Sequence, residues 1–197
     1  KKELGLTFEP HYRQILAAVM ACYNQDLMII SGGPGTGKTT VAKLVLWAIK
    51  SLENLHANDI VAAAPTGRAR GRLMESLQGD LPKSDEIKDF FEKIKGRTLH
   101  SLLGLGLWRE IRTLKAKIVI VDECSMMDVQ MFSRLLECLE PGTRLILLRD
   151  KDQLPSVDTG QVLADLTGPF VDAQNQDLAT LDTNVISSLR SVSATDT

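Results

Sequence analysis

The sequence predicts an α/β fold in which a mostly parallel sheet is flanked by helices on both faces. Three observations point to it. Four short apolar runs recur along the chain with helical stretches between or before them. None of the four alternates apolar with polar residues, and each is followed by a polar motif. Runs without alternation are buried on both sides, the habit of parallel strands covered by helices. Strand–helix repetition is the element order of an α/β domain.

The elements follow in order. Glu9-Pro10 opens a first helix, with Pro10 suited to its first turn and Ile15, Leu16, Val19 and Met20 on one stripe. The first strand is Leu27-Met28-Ile29-Ile30. Thr39 to Lys50 is helical and apolar on most sides, so it is expected in the interior. The second strand is Ile60-Val61-Ala62-Ala63. Leu77 to Lys95 carries nearly balanced acids and bases and is expected to be a solvated helix or loop. The third strand is Ile118-Val119-Ile120-Val121. Asp128 caps a helix that turns Phe132, Leu135, Leu136 and Leu139 inward and stops at Pro141-Gly142. The fourth strand is Leu145-Ile146-Leu147-Leu148. From Thr167 the chain becomes rich in Ser, Thr, Asp and Asn. The expected division is a folded domain over 1–166 and a polar tail over 167–197.

Composition narrows the function. With 44% hydrophobic and 24% charged residues among 197, the chain is neither disordered nor fibrous. Its longest apolar run, Ile15 to Cys22, falls far short of the ~20 residues that cross a bilayer, so no membrane association is expected. The first residues lack the apolar core of a secretion signal. Cys22, Cys124 and Cys138 form no C-x-x-C pair. They are read as small buried or half-buried residues in a reducing, cytoplasmic setting. The net charge of −2 creates no global positive field, so a nucleic-acid partner would need a local patch.

The polar motifs carry the chemistry. In parallel α/β sheets the C-terminal strand ends share one edge, where ligands bind. Gly32-Gly33-Pro34-Gly35-Thr36-Gly37-Lys38-Thr39 matches G-x-x-x-x-G-K-[ST] in full, directly after a strand and opening a helix that continues with Thr40. Such a loop wraps backbone N–H groups around phosphate, and the helix start adds partial positive charge. Lys38 is expected at the terminal phosphates and the Thr39 hydroxyl at Mg²⁺. Asp122-Glu123 ends the third strand. The first carboxylate suits Mg²⁺ through its water shell, and the second suits deprotonation of an attacking water. The pair favours nucleoside-triphosphate hydrolysis, and no N-K-x-D guanine signature accompanies it. Arg68, Arg70 and Arg72 follow the second strand. Arg68 and Arg72, on one helical face, suit a phosphodiester backbone or a solvated basic face. Gln14, Gln153 and His100 are ambiguous when read alone.

Taken together, SGGPGTGKTT, AAPTGRARGRL, TLHSLLG, IVIVDECSMMD and LLRDKDQLPSVDTGQVLADL resemble, in this order, the first motor domain of RecD-like superfamily 1 helicases. The resemblance runs from about Gln14 to Leu166. It implies a RecA-like P-loop NTPase fold, ATP and Mg²⁺ as cofactors, and single-stranded DNA as partner. RecB- and RecC-like subunits are further candidate partners. Gln14 resembles an adenine-reading glutamine and Gln153 a γ-phosphate sensor, with Lys38, Thr39, Asp122 and Glu123 in the roles given above. Gly33 to Thr40 form the nucleotide cradle. Pro65, Thr66, Gly67, Arg68, Thr98 and His100 fall in motifs that line the DNA path. The implied activity is ATP hydrolysis driving 5′→3′ movement in DNA recombination and repair. A hydrolytically inert docking module or another P-loop class, such as a small-molecule kinase, are the alternatives.

Two departures matter. Arg149 stands where the family usually has Gly. Because Gly at a strand exit usually answers a demand for positive φ, Arg149 is expected to strain the loop that carries Gln153; on an ordinary backbone it would instead point to solvent or bring its guanidinium toward the phosphates. Only 40 residues follow Val157, with none of the later helicase motifs, so the chain is expected to be a fragment unable to unwind alone.

Overall fold

The computed structural model describes residues 25–79, 85–104 and 113–150. All of them lie in the first of two units, 1–160 and 161–197, into which the chain divides. The helix expected from Pro10, the 167–197 tail and Cys22 lie outside the described residues.

Five strands and five α-helices, with two short 3₁₀ turns, make up the described chain. They are β1 (Leu27–Gly32), α1 (Lys38–Glu53), β2 (Ile60–Ala64), α2 (Gly67–Gln78) and α3 (Asp85–Glu92). After these come β3 (Lys95–Thr98), α4 (Leu99–Leu103), β4 (Ile118–Val121), α5 (Val129–Cys138) and β5 (Arg144–Asp150). The five strands form one sheet in the order β1-β5-β4-β2-β3. Every pairing is parallel.

Alternate side chains divide the sheet into two buried faces. Met28, Ile60, Ala62, Ile118, Ile120, Ile146 and Leu148 pack with Val45, Leu46 and Ile49 of α1, Leu73 and Leu77 of α2, and Ile87, Phe90 and Phe91 of α3. The opposite face buries Ala63, Val119, Val121, Leu145 and Leu147. On that side α4 packs against α5. Burial on both faces is what the unalternating runs require.

Some sequence expectations need correction. The segment from Leu77 to Lys95 is not simply solvated. It ends α2, forms α3 and begins β3, and α3 drives Ile87, Phe90 and Phe91 into the core. Its charges occupy the other face of a short amphipathic helix. Strand β3, Lys-Gly-Arg-Thr, has no apolar residue to signal it in the sequence, and among the described residues it pairs only with β2. In α5, Leu136 is 48% exposed and Cys138 is buried in its place. Among the described residues β1 pairs only with β5, and Leu27 is 43% exposed rather than buried. Asp128 caps α5 as expected, its Oδ1 accepting from Met131 N at 2.6 Å.

Two polar links set the helices. The Arg144 guanidinium donates to both Glu53 carboxylate oxygens, at 2.7 and 2.6 Å, joining the end of α1 to the start of β5. Lys43 on α1 is buried, and its Nζ donates to the Gly79 carbonyl at the end of α2. That places a cation on the negative end of the α2 dipole.

Candidate active site

The loop from β1 into α1 is built on backbone freedom. Gly35 (φ 70°) and Gly37 (φ 84°) take the left-handed conformation, which side chains disfavour. Gly32 has no room for a side chain, because a Cβ there would lie 2.5 Å from Thr36 Oγ1. That hydroxyl donates to the Gly33 carbonyl at 2.9 Å and closes the loop on itself. Lys38 Nζ donates to the Gly32 and Gly33 carbonyls, each at 2.7 Å, so its ammonium is held at the loop. No side chain caps α1, and its first turn holds no acid. Its first N–H groups and positive dipole end therefore face outward, an arrangement suited to an anion.

Two other strand ends bring carboxylates to this loop. Asp122 N donates to the Ala63 carbonyl at 2.9 Å, extending the β2–β4 ladder past Val121. Asp122 Oδ1 accepts from Glu123 N at 2.8 Å. Glu123 itself sits at φ 50°, ψ 39°, and the chain then turns through Cys124–Met126. A left-handed glutamate is uncommon and marks local strain of the kind found at functional sites. Asp150 ends β5 directly opposite Gly32. The result is a cleft of about 410 Å³ lined by Gly35 to Thr40, Ser76, Asp122, Glu123 and Asp150. Burial pushes the Asp122 carboxyl up from its ordinary value and the Asp150 charge adds to this, while the Glu123 N–H and the Lys38 charge pull it back.

The Pro65-Thr66-Gly67-Arg68 and Thr98-Leu99-His100 segments leave neighbouring strands. Ala64 pairs with Thr98, so Pro65 to Arg68 and His100 emerge side by side from β2 and β3. Thr66, Gly67, Arg68 and His100 are exposed. Both threonine hydroxyls act as helix caps. Thr66 accepts from Ala69 N at 3.1 Å and Thr98 from Ser101 N at 3.3 Å. Arg72 does not simply extend a solvated basic face, since its Nη1 lies 4.0 Å from Glu123 Oε1.

Gln14 and Gln153 lie outside the described residues. Ser76 and Asp150 also line the cleft, Asp150 as expected of a motif at the end of a parallel strand. Asp150 had a visible signal, an acid at the exit of the fourth apolar run, whereas Ser76 had none. The expected strain at Arg149 is absent. The residue lies within β5, paired with Ser31, and is not among the positive-φ residues. Strand pairing there supplies an ordinary extended backbone that Arg can adopt. Burial pushes the neighbouring Cys124 thiol up to about 12, partly offset by the Arg149 charge, and burial also raises Cys138. Both side chains are buried, in line with their reading as buried small residues.

A parallel five-stranded sheet, a glycine loop entering α1 and two strand-end acids facing that loop define a P-loop NTPase domain. Residues 15–159 match the AAA domain family, and the chain belongs to it. Its homologues include the RecBCD enzyme subunit RecD of Mycolicibacterium smegmatis, 39% identical over 175 residues, covering 83% of this chain and 32% of that protein. The ATP-dependent RecD2 DNA helicase of Deinococcus radiodurans is 36% identical over 141 residues, covering 68% of this chain and 17% of the helicase. The chain thus spans a third or less of these relatives' length. A solved Pif1 helicase structure, from work on DNA unwinding at forked double-stranded DNA, shares the fold. Its TM-score is 0.51 at 21% identity over 84% of this chain and 38% of that one. The large terminase of bacteriophage HK97 does so as well, with a TM-score of 0.54 at 13% identity, 86% of this chain and 38% of that one. Among the described residues no helix is long and apolar enough to cross a membrane.

Proposed function

We propose that this chain is the ATP-hydrolysing first motor domain of a RecD-like helicase that moves 5′→3′ along single-stranded DNA in recombination and repair. The observation that carries the reading is the meeting of Lys38, Thr39, Asp122 and Glu123 in one cleft. They come from two segments about eighty residues apart in sequence, and each bears the group that phosphoryl transfer to water needs.

In this reading the triphosphate lies in the Gly33–Thr40 cradle. Lys38 exchanges its two loop carbonyls for phosphate oxygens and counters their charge. Glu123 accepts a proton from a water whose oxygen bonds the γ-phosphorus, as the bond from that phosphorus to the bridging oxygen breaks and ADP leaves with its electrons. Gln14 reads adenine and Gln153 contacts the γ-phosphate. The oxygen donors suit Mg²⁺. Thr39, Asp122 and Asp150 line the cleft, and the Asp150 charge, with burial, raises the proton affinity of Asp122, which favours a cation nearby. Among the described residues no three acidic, His or Cys side chains can cage a metal alone. This fits an ion that keeps waters and takes one or two carboxylates with phosphate. Such an ion would neutralise developing phosphate charge.

Pro65, Thr66, Gly67, Arg68, Thr98 and His100 line the DNA path. Arg68 supplies the phosphate contact, and the helix-capping Thr66 and Thr98 fix the backbone that presents it. The likeness to RecD subunits supports RecB- and RecC-like partners and a cytoplasmic setting. The test is phosphate release with and without single-stranded DNA in the full-length protein. Wild type should be stimulated by DNA. Glu123→Gln should keep nucleotide affinity and lose roughly 10²–10⁴-fold in turnover. Undiminished turnover in that variant would remove Glu123 from its role.

A further inference from the structure

The contact between Arg72 and Glu123 joins two parts of the molecule with separate tasks. Arg68, Arg72 and Ser76 follow at four-residue spacing along one face of α2. Arg68 begins that face beside the exposed Thr66-Gly67 turn. Ser76 ends it inside the nucleotide cleft. Arg72 lies between them, with Nη1 4.0 Å from Glu123 Oε1. The helix is anchored at both ends, by the Thr66 hydroxyl on Ala69 N and by Lys43 on the Gly79 carbonyl. Its side chains can therefore rearrange while its axis stays in place.

The exposures of the pair are unequal. The Glu123 side chain is 21% exposed and that of Arg72 is 62%. An exposed ion pair of this length shifts an equilibrium by no more than about fivefold. A phosphodiester offers a guanidinium shorter, charge-assisted hydrogen bonds and outcompetes such a pair. The half-buried carboxylate stays in place when the exposed cation leaves.

We propose that Arg72 is a positioning residue that ties the Glu123 carboxylate to α2, and that single-stranded DNA frees it. A strand arriving at Arg68 draws the Arg72 guanidinium one turn along the helix onto its own phosphate. Glu123 then serves the attacking water unrestrained. DNA-stimulated hydrolysis thus has a local cause in a single weak ion pair. The proposal rests on the single-stranded DNA reading given above.

The experiment measures phosphate release from the full-length protein at saturating ATP, with and without oligothymidylate. It compares wild type, Arg72→Ala and Arg72→Lys, each checked for an unchanged unfolding midpoint. Arg72→Ala should raise the DNA-free kcat about three- to fivefold, the restraint an ion pair of this kind can exert, with KM for ATP unchanged. The ratio of DNA-stimulated to DNA-free turnover should fall correspondingly. Arg72→Lys, which keeps the charge, should return both values toward wild type. A DNA-free kcat that falls or does not change in Arg72→Ala overturns the restraint, and equal acceleration with and without DNA overturns its release by DNA. If oligothymidylate neither binds nor stimulates wild type, the DNA reading fails by itself. The DNA-free rate of Arg72→Ala then still decides whether the restraint exists.

Discussion

Gly32 and Asp150 are direct partners across the β1–β5 ladder, so the residue that launches the glycine loop lies beside the acid that ends the fifth strand. Parallel pairing in this register brings motifs more than a hundred residues apart to one cleft. It also leaves the loop little tolerance at its first residue.

Gly32→Ala should therefore weaken ATP binding. The added Cβ falls 2.5 Å from Thr36 Oγ1 and displaces the hydroxyl that closes the loop on the Gly33 carbonyl. Combining it with Thr36→Ala removes the clashing atom, and the double variant should recover part of the affinity lost by the first change. Simple additivity of the two losses in calorimetry would show that the contact does not govern the loop.

Arg149→Gly should destabilise the domain. The sequence suggests the reverse, because the family usually has Gly at this position. The residue lies instead in a paired strand with an ordinary backbone, where Gly costs roughly 0.5–1 kcal/mol. Urea unfolding of both proteins reads the sign, and a more stable variant would mean that the extended backbone at Arg149 is strained after all.

The same residue marks how far the sequence could be read. The four apolar runs became strands, and the loop motif and Asp122-Glu123 met in one cleft, because hydrophobic pattern and parallel order constrain those positions strongly. Strand β3 escaped because Lys95 to Thr98 has no apolar residue to announce it. Its Gly96 is pressed by Met74 of α2, where a Cβ would fall 2.5 Å from Met74 Cγ. That close approach is a tertiary fact, invisible in a local window. Leu136 and Cys138 exchanged places because helical spacing alone does not settle which edge of a stripe meets the sheet. Ser76 and the reach of Arg72 depend on where α2 lies over the cleft, which no spacing rule supplies.

Acid stability should depend on Glu53. Hydrogen bonding to Arg144 holds its carboxyl below the ordinary 4.5, against the opposing effect of burial. A lowered folded-state pKa contributes stability that is present above the ordinary value and lost as pH falls through the folded one. Glu53→Gln should lower stability at neutral pH and flatten its decline below about pH 4.5, the unfolded carboxylate range. Parallel pH–stability curves for the two proteins would show that the Glu53–Arg144 link contributes nothing.

Arg68→Ala should weaken binding of single-stranded DNA about equally across sequences. Its side chain is exposed beside the Thr66 turn, and a contact to the phosphate backbone carries no sequence information. Loss of one phosphate contact reduces the slope of log affinity against log salt by roughly 0.7 for a single strand. Fluorescence titrations at several salt concentrations measure that slope, and an unaltered value would return Arg68 to the solvated face of α2.

The Gly32–Thr39 loop is expected to bind the phosphates of ATP with Lys38 as their main counter-charge. Calorimetric titration of wild type and Lys38→Ala with ATP and Mg²⁺ measures that contribution. The ammonium held 2.7 Å from the Gly32 and Gly33 carbonyls is placed to meet phosphate oxygens at the same loop. Its removal should cost about 10- to 100-fold in affinity, the worth of hydrogen bonds to a charged group. Equal affinity in the two proteins would mean that Lys38 does not meet the phosphates of ATP.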